Sequence, residues 1–158
     1  REAYKLFACS GILFNHESPL RNENFISRKI TSSIARIIFK KQKSLTLGSI
    51  NSKRDWGYAG DYVEAMWKIL QLKKPQDFVI GTGKIHSVKD FLKIAFDYVG
   101  LDYKKYVKFD KKFMRPKDNI ILKANFKKAK KILNWSPKTN FKQLVHKMVD
   151  FDITQLKK

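Results

Sequence analysis

"LFACSGILF" (Leu6–Phe14) and "DFVIGTG" (Asp77–Gly83) are the two stretches from which the fold is read. The first is an almost continuous apolar run, the pattern of a strand covered on both faces in a parallel sheet. The second is a short buried strand stopped by glycines. Helical periodicity fills the space around them. From Asn24 to Lys40, Phe25, Ile30, Ile34, Ile37 and Ile38 recur at helical spacing. "SLTLGS" (Ser44–Ser49) reads as a short strand and turn. "GYAGDYVEAMWKILQ" (Gly57–Gln71) reads as a helix with Val63, Met66, Trp67 and Leu70 on one face. "SVKDFLKIAFDYVG" (Ser87–Gly100) opens with a Ser-x-x-Asp variant of the capping box and ends on glycine. "VKFD" (Val107–Asp110) is a further short strand. Asn125–Trp135 and Asn140–Ile153 are amphipathic helices, separated by the turn "SPKT". Strands and helices alternate, so the class is α/β. Two buried strands do not make a parallel sheet covered on both sides, and buried strands need neighbours for their backbone groups. The economical expectation is that the N-terminal strands of the sheet lie upstream of Arg1, and that the chain alone would fold poorly.

The 158 residues carry a net charge of +20, built from 28 lysines and only six arginines. That balance points away from nucleic acid. Base reading and bidentate phosphate clamps favour arginine, whereas lysine is a hydrated, flexible surface charge. The lysines are dispersed in pairs and form no basic block. No apolar run approaches the length of a membrane span. The single cysteine, Cys9, excludes an internal disulfide and zinc ligation by several thiolates. It reads as a small buried hydrophobe in a reducing compartment, the cytoplasm.

Scarce arginines stand out in such a chain. Arg54 opens "RDWGYAGDY" (Arg54–Tyr62), between a short strand and a helix. Arg115 lies in "FMRPKD", where Pro116 stiffens the loop. A planar, permanently charged fork on a constrained loop suits phosphate oxygens, and two such loops could clamp a diphosphate. Pairing of the same arginines with Asp55 and Asp118 is the competing reading. Asn15 and His16 follow directly on the first strand, where open α/β sheets place their ligands; the plainer reading is a turn former and an exposed histidine, with Arg21 a solvated loop residue. Familiar catalytic signatures are missing from this stretch. There is no G-x-G-x-x-G, Walker loop, H-E-x-x-H or nucleophile elbow. "GTG" (Gly81–Gly83) is an isolated triplet, and no tyrosine is followed four residues later by lysine. The three histidines are too scattered to suggest a metal site.

Taken together, "REAYKLFACSGILFNHESPLRNENFISRKIT", "KRDWGYAGDYVEAMW" and the stretch from "RPKD" to "KKAKKILNWSPKTNFKQLVHKMV" resemble the C-terminal half of the GDP-mannose 4,6-dehydratases, which are extended short-chain dehydrogenases/reductases. The resemblance spans essentially the whole chain. NHESP together with RDWGYAGDYVEAMW is specific for these dehydratases within the superfamily. It implies a Rossmann-type NADP-binding domain interleaved with a small mixed α/β substrate domain. Residues 1–18 and 57–83 would be late elements of the Rossmann domain, and 19–56 and 84–158 the nucleotide-sugar domain.

By the same resemblance, His16 and Arg21 match residues that touch NADP. Asn15, Lys29, Arg54 and Arg115 match contacts to the GDP part of the substrate, the two arginines chiefly at its diphosphate. Asp118 stands where the family has glutamate, one methylene longer, so its reach toward the guanosine ribose differs. Leu47-Gly48-Ser49 and Lys123-Ala124-Asn125 also depart mildly from the family pattern. The implied reaction is an internal redox cycle with NADP as cofactor. Hydride leaves C4 of the mannose ring, water is lost across C5 and C6, and hydride returns to C6, giving GDP-4-keto-6-deoxymannose. The Tyr-x-x-x-Lys pair and the other proton-transfer groups would lie upstream, in the missing N-terminal half. No catalytic residue is therefore expected in this chain, whose part would be binding and positioning. The intact protein would be a dimer or tetramer acting on GDP-mannose. A related GDP-sugar epimerase or reductase, or a non-catalytic basic binding module, are the alternatives; the NHESP loop speaks against the former.

Overall fold

The computed structural model describes residues 1–113 and 121–157. In chain order the elements are β1 (Gly11–Leu13), β2 (His16–Glu17), α1 (Ile26–Ile38), β3 (Leu45–Leu47), β4 (Lys53–Arg54), β5 (Gly57–Tyr58), α2 (Ala59–Leu70), β6 (Phe78–Ile80), β7 (His86–Ser87), α3 (Val88–Tyr98), α4 (Tyr103–Tyr106), β8 (Val107–Phe109), a 3-10 turn at Lys111–Phe113, α5 (Lys127–Leu133) and α6 (Phe141–Lys157). Four short ladders join them. β1 pairs in parallel with β6, β2 with β5 and β3 with β8, while β4 and β7 are antiparallel. Strand and helix alternate as expected for α/β.

Two apolar cores result. One gathers α1, β3, Trp56, α3, β8 and α6 around Ile30, Ile34, Phe91, Phe96, Leu144 and Met148. The other packs Tyr62 and Ile69 of α2 and Phe78 and Ile80 of β6 against Ala129, Leu133 and Trp135. The 126–135 stretch thus lies on the α2–β6 side, although the sequence division groups it with 84–158. Capping fixes where α3 begins. The Ser87 hydroxyl accepts from the Asp90 amide at 3.1 Å and the Asp90 carboxylate accepts from the Ser87 amide at 2.8 Å. Asn134, left-handed at φ 46°, ends α5 just before Trp135.

Burial departs from the sequence reading at three places. The run Leu6–Phe14 is regular strand only over Gly11–Leu13, and Leu6, Phe7 and Ile12 are 60%, 45% and 56% exposed. Only β6 flanks it among the described residues, so one edge and one face have no cover. Cys9, beside it, is half-buried against the α2–β6 core rather than enclosed. The face of α2 that carries Val63, Met66, Trp67 and Leu70 also points outward. The helix instead buries Asp61, Tyr62, Ala65 and Ile69. Periodicity locates a helix without saying which of two apolar stripes finds a neighbour.

The segment from Lys53 to Tyr62 ties these parts together. β4 holds one side of it to β7, β5 holds the other to β2, and between them Asp55 and Trp56 are 1% and 3% exposed. The Asp55 carboxylate accepts four hydrogen bonds: from the Thr82 amide (2.9 Å) and hydroxyl (2.5 Å), the Gly83 amide (2.8 Å) and the Ala124 amide (3.0 Å). Gly83 meets it at φ +69°, a conformation that suits glycine. Asp61 does similar work for the turn after α5. Its side chain accepts from the Lys138 and Thr139 amides, and its carbonyl from the Trp135 indole at 2.8 Å. Substituting Asp55→Ala strands several buried donors, each worth about 1–3 kcal/mol. Urea unfolding should show a loss of about 3 kcal/mol or more; a loss below about 1 kcal/mol would mean that these bonds do not hold the cores together.

Candidate nucleotide-sugar site

Residues singled out in the sequence line the loops around the β2–β5 and β4–β7 ladders. Asn15 is exposed just beyond β1, and its carbonyl accepts the Gly57 amide at 2.9 Å. His16 pairs in register with Gly57. Its Nδ1 lies 2.9 Å from the Phe14 carbonyl, and its ring centroid lies 5.2 Å from that of Tyr62. A proton on Nδ1 would donate to that carbonyl and leave Nε2 as the outward acceptor. Gly57 cannot be larger. A Cβ there would lie 2.4 Å from the Tyr62 ring, so the close approach of β5 to α2 requires glycine.

Arg54 sits on β4, opposite His86, and its Nη1 donates to the Lys53 carbonyl at 2.7 Å. The competing expectation of an Arg54–Asp55 pair meets an obstacle, because the Asp55 carboxylate is turned to Thr82, Gly83 and Ala124. Lys29 projects from α1 over the Phe113 ring at 5.1 Å. Arg115 and Asp118 lie outside the described residues. The structure therefore links Asn15, His16 and Arg54 through β5, and sets Lys29 against the turn that leads toward Arg115.

Arg21 is held differently. Its guanidinium lies 3.6 Å over the Phe25 ring, and Nε is 3.4 Å from Glu17. Glu17 is itself 3% exposed and accepts from the Ser27 hydroxyl at 2.7 Å. Burial raises its carboxyl above the ordinary glutamate range, against the opposing pull of Ser27, Arg21, His16 and Trp56. Among the described residues, two buried side-chain atoms have no hydrogen-bond partner: Arg21 Nε and the Tyr62 hydroxyl. Burial, then the Asp55 and Asp61 carboxylates, push the Tyr62 phenol well above its usual value, so it is a neutral donor.

Sequence reasoning missed the residue that fixes this loop. Arg28 makes a two-pronged pair with Asp152 of α6, at 3.1 and 2.7 Å, and also donates to the Pro19 and Arg21 carbonyls. Thr31 completes the cluster by donating to Asp152 at 2.6 Å. The pair is 11% and 5% exposed, so it anchors the 19–21 loop to the α1–α6 core. The scarcity of arginine was the one available signal. Its partner lies 124 residues away, and no local pattern announces it. A cavity of about 340 Å³ opens nearby between α1 and α6, but its two guanidiniums already face Asp152 and Glu23. Among the described residues no cluster of His, Cys, Asp and Glu is placed to hold a metal, and no helix is long and apolar enough to cross a membrane.

Two outcomes are expected. Arg28→Ala leaves Asp152 buried and unpaired, which should cost about 3–5 kcal/mol in urea unfolding; a change within about 0.5 kcal/mol would mean that the clamp is not formed. For Glu17 the folded value exceeds the unfolded one, so its contribution is favourable at low pH and declines as pH rises above the ordinary glutamate range. Glu17→Gln should remove that decline from a stability–pH curve. An unchanged curve would show that the carboxyl is not held in a desolvated site.

Comparison with known proteins gives the family. The profile of the GDP-mannose 4,6 dehydratase family matches residues 1–148. The chain is 53% identical over all its 158 residues to GDP-mannose 4,6 dehydratase 1 of Arabidopsis thaliana, covering 44% of that protein. It is 44% identical, over 97% of its length, to human GDP-mannose 4,6 dehydratase, covering 46% of that protein. It thus spans about half the length of the relatives it matches. RMD from Pseudomonas aeruginosa, solved with NADPH, superposes at a TM-score of 0.88 with 17% identity, over 98% of this chain and 51% of that one. The dTDP-glucose 4,6-dehydratase of Bacillus anthracis, solved with NAD, superposes at 0.83 with 18% identity, over 99% of this chain and 48% of that one. The α/β fold is accordingly shared with these two solved structures, and the chain belongs to the GDP-mannose 4,6 dehydratase family.

Proposed function

We propose that this chain is the C-terminal, substrate-holding portion of a GDP-mannose 4,6-dehydratase. Within the intact protein it grips the GDP of GDP-mannose and part of NADP while groups on the rest of the polypeptide transfer protons. The net reaction converts GDP-mannose to GDP-4-keto-6-deoxymannose and water. The observation that carries this reading is the placement of Arg54. It stands on a two-residue ladder directly before Asp55, whose carboxylate is fully occupied by four hydrogen bonds, so the segment bearing the guanidinium is held in place. A preorganised fork of this kind suits the two phosphates. Arg115 would be the second arginine at the diphosphate. Asn15 and Lys29 would hold the remainder of the GDP, with Asp118 reaching the ribose.

For the cofactor, the residues present fit. His16 engages the Phe14 carbonyl through Nδ1 and keeps Nε2 for a ligand, and the Arg21 guanidinium, held over Phe25 beside Glu17, would meet an anionic dinucleotide oxygen. NADP, when bound, supplies a hydride acceptor and donor. This chain's part is to bind and orient it and to hold the sugar within reach, which can supply a large share of the rate. The division of the chain into 1–18 with 57–83 for the cofactor, and 19–56 with 84–158 for the sugar nucleotide, belongs to the same proposal, with 126–135 packed on the cofactor side. The exposed β1 and α2 faces would be covered by the preceding half of the enzyme. A cytoplasmic, oligomeric enzyme fits the family.

The test is a calorimetric titration of the protein, extended by whatever coding sequence its gene supplies upstream, with GDP and with ADP. GDP should bind more tightly than ADP, and Arg54→Ala should weaken GDP about tenfold or more. Equal affinity for GDP and ADP, or an Arg54→Ala protein that binds GDP normally, would overturn the assignment.

A further inference from the structure

His86 is a half-buried histidine for which the site as described has no use, and its position is set by three independent constraints. The first is register. β4 and β7 are antiparallel with Arg54 directly opposite His86, and directly opposed residues of an antiparallel pair present their side chains on one face. The second is stacking. The His86 ring lies on Phe141 with centroids 3.9 Å apart and planes 6° from parallel, and Phe141 in turn stacks on Trp56 at 5.8 Å and 4°. Trp56 and Phe141 are 3% and 8% exposed, so the imidazole is the outer member of a column of rings rooted in the core. The third is the chain itself. Ser87, the next residue, is the N-cap of α3 and is locked by the reciprocal bonds with Asp90. Both ring nitrogens lack a hydrogen-bond partner among the described residues.

We propose that His86 is a further substrate-binding residue, giving a ring nitrogen to an oxygen of the diphosphate that Arg54 holds and taking up a proton as the nucleotide sugar binds. The inference rests on the diphosphate reading of Arg54. A histidine needed only for packing would be replaceable by phenylalanine, since the stack uses the ring face alone. The charges around it favour an uncharged ring before the ligand arrives. Burial lowers its pKa, Lys84 in the preceding turn acts in the same direction, and Asp90 of α3 and Asp55 oppose them. Asp90 is engaged by the Ser87 amide and Asp55 by four donors. Arg54, across the ladder, adds a further positive charge, and α6 contributes the uncharged Phe141. Two phosphate charges arriving beside this ring reverse the balance and favour the imidazolium. The affinity of the protein for the nucleotide sugar should therefore rise as pH falls through the histidine range, because the bound form holds the proton more tightly than the free form.

GDP-mannose is the right probe, because neither of its phosphates titrates near neutrality, whereas the terminal phosphate of GDP does. Its affinity is measured from pH 5.5 to 8 for the unaltered protein, His86→Phe and His86→Gln, with phosphate-free guanosine as the control. The unaltered protein should bind GDP-mannose more tightly at low pH. His86→Phe should weaken binding about tenfold at the acid end and flatten the profile, leaving guanosine unaffected. His86→Gln, which keeps a donor that cannot titrate, should be flat and intermediate. A His86→Phe protein with unchanged affinity and slope would overturn the inference while leaving the Arg54 reading intact, as would equal losses for guanosine, which would mark His86 as packing. If His86→Phe does not fold, an unaltered slope in His86→Gln overturns it equally. Failure of the unaltered protein to bind GDP-mannose at all would reject the diphosphate reading, and this inference with it.

Discussion

The Asp55 carboxylate is the constraint around which the chain is organised. It is almost wholly buried, and its four donors come from the loop after β6 and from the irregular stretch before α5. The flanking Trp56 inserts into the other core, where it meets Phe91 and Phe141. One short segment therefore fastens both cores, with a polar anchor on one side and an aromatic one on the other. Buried carboxylates are costly unless their lone pairs are taken up, and here backbone amides and one hydroxyl do so. The same arrangement leaves the Arg54 backbone fixed in the β4–β7 ladder.

That arrangement separates two kinds of positive charge. The abundant lysines are mostly spread over solvent-facing positions, where they act as hydrated surface groups. The arginines do narrower work. Arg28 joins a loop to the core through Asp152, Arg21 lies along Phe25 beside Glu17, and Arg36 joins Glu23, Ser32 and Gln42. Net charge alone would have suggested a polyanion-binding surface. The distribution of guanidiniums instead describes a scaffold with a small number of directed, rigidly mounted forks.

Much of the secondary structure was legible in the sequence because it depends on local rules. Helical periodicity gave α1, the Ser87–Asp90 box gave the start of α3, and the Ser-Pro turn separated α5 from α6. What was not legible depends on partners distant in sequence. The outward face of α2 and the open face of β1 could not be told from buried ones, because an apolar stripe does not name its neighbour. In "RDWGYAGDY" Asp55 read as a possible partner for arginine, yet it serves backbone amides of loops reached only through the fold, as does Asp61. Asn15, His16 and Arg54 were singled out from their places after strands and from arginine scarcity. Arg28, Tyr62 and His86 were not singled out, since each owes its position to long-range packing.

The central claim is that the loops fastened by Asp55 form a preorganised seat for a nucleotide diphosphate. Hydrogen–deuterium exchange of the protein with and without GDP addresses it most directly, since it reports on the loops peptide by peptide. The account predicts that GDP slows exchange in the 15–21, 52–58 and 84–88 segments together, while amides of Thr82, Gly83 and Ala124 are already strongly protected without ligand. Protection by GDP confined to other surfaces, or fast exchange of the Asp55-bonded amides in the free protein, would contradict it.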